Sequence, residues 1–143
     1  MTATSSRVGL IVPSSNTTME TELPELFRRQ NAATGHVYTF HSARASMRNV
    51  NTEDLLAMVG KAGDCARALS DADVDVIAYA CLVAVMAQGP GAHRESEDVI
   101  ANAAADNGHR ERISRLILEH RTDATPQMRA SVVGDHCPDR QRW

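Results

Sequence analysis

Aromatic side chains are scarce in this chain of 143 residues, at 3% of the total. That excludes a core built on stacked rings and leaves its volume to Val, Leu, Ile, Ala and Met. Cysteine occurs three times without regular spacing and without a C-x-x-C pair. Neither a disulfide framework nor a zinc site is signalled, and with no signal-peptide apolar segment the expected compartment is the reducing cytoplasm. No apolar run approaches the roughly 18 residues that cross a bilayer, so no membrane partner is expected. A formal net charge of −3 exerts no strong pull on nucleic acid. G-x-G-x-x-G is missing after the first apolar run and G-x-x-x-x-G-K-[ST] is missing throughout, which leaves dinucleotides and nucleoside triphosphates without a signal. The six histidines are scattered and show no metal-ligand spacing.

What is present is globular: 43% hydrophobic and 23% charged residues, in a length that suits one domain. Residues 1–6 are small and polar and read as a disordered N-terminus. Arg7 to Pro13, RVGLIVP, is a short apolar run stopped by proline, the pattern of a buried strand. Ser14-Ser15-Asn16-Thr17-Thr18 follows. Such a cluster caps the next helix, and Ser14, Asn16 and the nearby backbone N–H groups are also suited to hold a carboxylate or phosphate. Met19 to Gln30 places Met19, Leu23, Leu26 and Phe27 on one helical face, with acids early and Arg28 and Arg29 late, as the helix dipole favours. A second strand is expected over about 36–43. The polar loop RASMRNVN has arginines that are either solvated or available to an anion. Thr52 to Ser70 shows the clearest helical period, capped by Asn51 or Thr52, with Cys65 packed inside it.

Val74 to Gly91, VDVIAYACLVAVMAQGPG, is the centre of the chain. Its first half reads as a buried parallel strand over 74–80. Cys81 stands just past the strand's carboxyl end, where open α/β sheets bind ligands. The Gln88 to Gly91 segment breaks the chain before a helix over 92–107. A helix start favours the anionic, nucleophilic form of a nearby thiol, yet free cysteine is also among the most buried residue types. Position alone leaves both roles open for Cys81. His93 reads as a helix-surface residue. Strand and helix alternate three times, which predicts an α/β fold, a three-layer parallel sheet flanked by helices.

The chain changes character near His109. Residues 109–143 read as a divergent, arginine-rich, lysine-free tail in which Arg112 to His120, RISRLILEH, forms one amphipathic helix. The tail's acidic residues offset its arginines, so nucleic acid is not expected as a partner.

Two segments go beyond pattern. Arg7 to Pro24, RVGLIVPSSNTTMETELP, and Val74 to Ser96, VDVIAYACLVAVMAQGPGAHRES, resemble the N-terminal half of maleate cis-trans isomerases, members of the aspartate/glutamate racemase superfamily, and the intervening FHSARASMRNVNTEDL is similar as well. The resemblance runs from about residue 7 to 108 and implies one half of a two-domain racemase-like fold with its active site in the cleft between halves. It implies that Cys81 is the nucleophile, adding as thiolate to an alkene carbon of maleate. It also implies that Asn16 holds a substrate carboxylate and that the backbone at Leu82 and Val83 donates to the same small dicarboxylate. No cofactor is implied. Racemisation, decarboxylation or plain carboxylate binding are the alternatives within the superfamily. After Gly108 the family's second half, with its own cysteine, is not recognisable, and HCPDRQRW around Cys137 does not match. The expectation is a truncated or frame-shifted chain of impaired activity. A half-domain of this kind exposes apolar surface, and a homo-oligomer is expected.

Overall fold

The computed structural model describes residues 5–105, 114–120 and 128–133. Three parallel strands come first: β1 (Ser5–Pro13), β2 (Val37–Ala45) and β3 (Val76–Tyr79). β1 lies between the other two, paired in register Val8↔Phe40 on one side and Val8↔Val76 on the other. Helix α1 (Met19–Thr34) connects β1 to β2, while α2 (Thr52–Gly60) and α3 (Ala62–Ser70) carry the chain from β2 past β1 to β3. A five-residue helix α4 (Leu82–Met86) and then α5 (Ala92–Ala105) follow β3. The sheet continues with β4 (Ser114–His120), parallel to β3, and β5 (Met128–Val133), antiparallel to β4, in the order β2-β1-β3-β4-β5.

Alternation along β1 explains the two cores. Val8, Leu10 and Val12 point to the α1 face, where Met19, Leu23, Tyr38 and Phe40 meet them. Phe27 of α1 packs edge-on against the rings of Tyr38 and Phe40, at 4.7 and 5.4 Å. Ile11 points the other way, into a larger cluster with Met58, Cys65, Leu69, Ile77 and Ile100 from α2, α3, β3 and α5. Gly9 shares that second face. A Cβ there would stand 3.1 Å from Val74 Cγ2 and 3.2 Å from Leu69 Cδ1. Gly9→Ala is therefore expected to destabilise the fold by about 1–3 kcal/mol through overpacking, read as a lower urea midpoint at unchanged slope; an unchanged midpoint would show that the core yields at no cost.

Three expectations change. The helix expected over Thr52 to Ser70 is two helices, because the chain turns at Gly60-Lys61, where the Lys61 N–H bonds back to Met58 and Val59. Glycine lowers the cost of leaving the helix there. Arg112 to His120 was expected as a helix, but Ser114–His120 is a strand, and the period of Ile113, Leu116 and Ile117 fits a short apolar strand equally well. A place beside β3 decides between them. Ser5 and Ser6, expected to be disordered, pair with Val37 and Tyr38 as the start of β1, and the Ser6 hydroxyl lies 2.9 Å from His36 Nε2. Cys137 and the ends of the proposed tail lie outside the described residues.

Candidate active site

The connections reverse direction about β1: one goes to β2 on its left, the next crosses to β3 on its right. In open sheets this switch point leaves a crevice beyond the carboxyl ends of the two adjacent strands. Two loops leave the sheet at that end, Ser14–Thr18 after β1 and Ala80-Cys81 after β3. The two strands are paired to the end of β3, beyond which the Ala80 N–H donates to Ile11 O at 2.8 Å.

The Ser14–Thr18 loop is fixed by its own polar groups. Asn16 Oδ1 accepts from the N–H groups of Thr18 and Met19, at 2.9 and 3.1 Å, and so satisfies the start of α1. With its oxygen committed, the Asn16 amide has its two N–H donors left to offer. The Ser14 hydroxyl is engaged with Met47, accepting from its N–H at 2.9 Å and donating to its carbonyl at 3.2 Å. Arg44, which the sequence left between solvent and an anionic ligand, serves this loop instead. Its Nη2 donates to the carbonyls of Ser14 and Asn16 at 3.0 and 2.6 Å, and its Nη1 pairs with the Glu20 carboxylate. Hydrogen bonds from Ser42 and then Arg44 hold the Glu20 carboxyl below its usual range. The sequence offered no sign of this clamp, because it depends on β2 lying beside β1.

On the other side, Cys81 is the N-cap residue of α4, and its carbonyl accepts from the N–H groups of Ala84 and Val85. The N–H groups of Leu82 and Val83 stand in the first turn, where a helix leaves its donors without internal acceptors. Sequence reading expected the start of α5 to lie near the thiol; the nearer helix is α4. Burial does not set Cys81 apart from Cys65. Both are 8% exposed, because Cys81 shares one apolar cluster with Tyr79, Ala84 and Cys65. The two thiols differ in their surroundings instead. Burial, and then the charge of Asp64, push the Cys65 thiol up.

A groove of about 540 Å³ opens elsewhere, between α1 and β2, lined by Glu20, Pro24, Tyr38, Thr39, Phe40 and Ser42. None of the candidate site residues lines it. Among the described residues no group of three His, Cys, Asp or Glu side chains is placed to hold a metal ion, and no helix is long and apolar enough to cross a membrane.

No family model matches the chain. It is 54% identical over 101 residues to the maleate isomerase of Pseudomonas putida, a match covering 71% of this chain and 40% of that protein. The crystal structure of a Pseudomonas putida maleate isomerase superposes on 79% of the chain with a TM-score of 0.75 and 44% identity, and 45% of its own length is matched. A Nocardia farcinica maleate cis-trans isomerase mutant with a covalently bound succinylcysteine intermediate superposes on 78% of the chain, at a TM-score of 0.70 and 43% identity, with 44% of its length matched. The chain thus spans less than half the length of each of these relatives, and over that span it has their α/β architecture.

Proposed function

As a homologue of the maleate isomerases over 71% of its length, the chain carries, we propose, the part of a maleate cis-trans isomerase site that supplies the nucleophile. The observation behind this reading is the place of Cys81, at the carboxyl end of β3 and at the head of α4, across the β1/β3 switch point from Asn16. In this reading the Cys81 thiolate adds to one alkene carbon of maleate. The π electrons move onto the neighbouring carbon, where the adjacent carboxylate stabilises them, and the central bond becomes single. After rotation about that bond the electrons re-form the double bond, the thiolate leaves, and the product is fumarate. Electrons balance without a redox partner, so the reaction needs no cofactor. A succinyl group on cysteine, as in the Nocardia farcinica protein, is the species such an addition leaves once the carbon is protonated.

The remaining residues bind. Asn16 donates its amide N–H groups to one carboxylate, and the backbone N–H groups of Leu82 and Val83 donate to the dicarboxylate from the other side. Ser14 and Arg44 hold the Asn16 loop in place. Val83 and Met86, 51% and 54% exposed on α4, add an apolar surface beside the site that favours self-association.

Site-resolved alkylation tests the reading. Iodoacetamide near neutral pH is expected to label Cys81 several times faster than Cys65, and maleate to slow the labelling of Cys81 alone. Equal rates at the two cysteines, or maleate that protects neither, would remove Cys81 from the role. Calorimetry with maleate, citraconate and malonate, combined with product analysis by NMR, separates isomerisation from plain carboxylate binding, because binding without turnover supports the latter.

A further inference from the structure

Among the described residues, the Tyr79 hydroxyl is the buried side-chain oxygen or nitrogen left without a hydrogen-bond partner. The residue is 3% exposed. Strand alternation sends Ile77 and Tyr79 toward α3 and α5, and Cys81, two residues further on, stays on that side and in the same apolar cluster. Burial, then the Cys81 thiol, then the Cys65 thiol all push the phenol up, so the hydroxyl keeps its proton.

An unpaired hydroxyl in a dry core costs stability that a phenylalanine would avoid. A neutral thiol is a poor acceptor and gives such a hydroxyl little to bond to. A thiolate is a strong one. We propose that Tyr79 is a positioning residue for Cys81, its hydroxyl unpaired while Cys81 is a thiol and donating a hydrogen bond to the sulfur once Cys81 is a thiolate. Cys81 rather than Cys65 is the sulfur it serves, because Cys81 follows Tyr79 at the carboxyl end of β3, at the head of α4, whereas Cys65 is packed within α3. The proton stays on Tyr79 throughout, so the bond forms and breaks with the charge on sulfur and no atom is transferred. The inference rests on the reading of Cys81 as the nucleophile.

The test is the alkylation rate of Cys81 in Tyr79→Phe between pH 6 and 10, by mass spectrometry of the full chain. Loss of a charge-assisted hydrogen bond lowers the ionised fraction by about tenfold below the titration range. The thiolate that does form is less stabilised and about threefold more nucleophilic. The expected profiles therefore cross: the variant reacts about threefold more slowly than the unmodified chain near neutral pH and about twofold faster at the alkaline end, where it is nearly ionised, while Cys65 is unchanged. Superimposed profiles, or a change of the same sign at every pH, would assign the hydroxyl to packing alone and overturn the proposal. Fluorotyrosine at position 79, a stronger donor of nearly the same shape, is expected to shift the profile the opposite way, and it tests the proposal even where the phenylalanine variant fails to fold. Neither measurement uses maleate. Failure of maleate protection would strike the isomerase reading and leave the crossing intact.

Discussion

Cys81→Ser is expected to abolish the covalent addition of the chain to maleate, and to lower any conversion of maleate to fumarate by about 10³-fold or more, while the fold survives. The hydroxyl is nearly isosteric with the thiol but remains protonated at neutral pH without a base beside it. At 8% exposure, burying a hydroxyl there costs about 1–3 kcal/mol, which lowers the melting temperature without removing the transition. Two readouts are needed together. Intact-mass analysis after incubation with maleate detects the adduct, and proton NMR follows both alkene signals. An adduct that persists in the serine variant would place the nucleophile elsewhere, and unchanged turnover would remove Cys81 from the chemistry.

The second large effect is on stability. Ile11→Ala is expected to cost about 2–5 kcal/mol, the range for emptying a well-packed aliphatic site. Ile11 is fully buried and stands on an inner strand of the sheet, where the packing of α2, α3, β3 and α5 converges. Domains of this size are stable by only about 5–15 kcal/mol, so the loss is a large share of the total. Urea unfolding followed by circular dichroism measures it. A change under about 1 kcal/mol would mean that the surrounding helices collapse into the space, and that the large cluster is not one packed unit.

The parts of the fold that were legible in the sequence are those where local pattern and tertiary position agree. RVGLIVP and VDVIAYA are apolar on both faces because both lie inside the sheet, and the strands observed at Ser5–Pro13 and Val76–Tyr79 follow those runs. The Asn51 cap was legible too, and its side chain accepts from the Asp54 N–H at 2.8 Å. Local pattern failed where a neighbour decides. Ile113, Leu116 and Ile117 satisfy a helical period, but the open edge of β3 draws Ser114–His120 into the sheet. The apolar run LVAVM carries no alternation, and α4 forms there because Cys81 turns the chain out of the strand. For the site, Asn16 and Cys81 were found as residues after strand ends. The Arg44 clamp and the unpaired Tyr79 hydroxyl were not, because each depends on atoms more than a dozen positions away in the chain.

The place of β1 between β2 and β3 also sets a timetable. β1 leaves the ribosome before both of the strands that satisfy its two sides, β2 and β3, which end at Ala45 and Tyr79. At translation rates of about 5–20 residues per second, the synthesis that separates those two partners takes on the order of 2–7 s. During that interval a nascent β1–β2 pair has a free edge of Val, Leu and Ile, and its Ile11 face gains α2 and α3 only as they are made and lacks α5 throughout. The fold therefore passes through a stage in which an inner, largely apolar strand is half paired, and escape from aggregation at that stage depends on synthesis outrunning encounter with other chains.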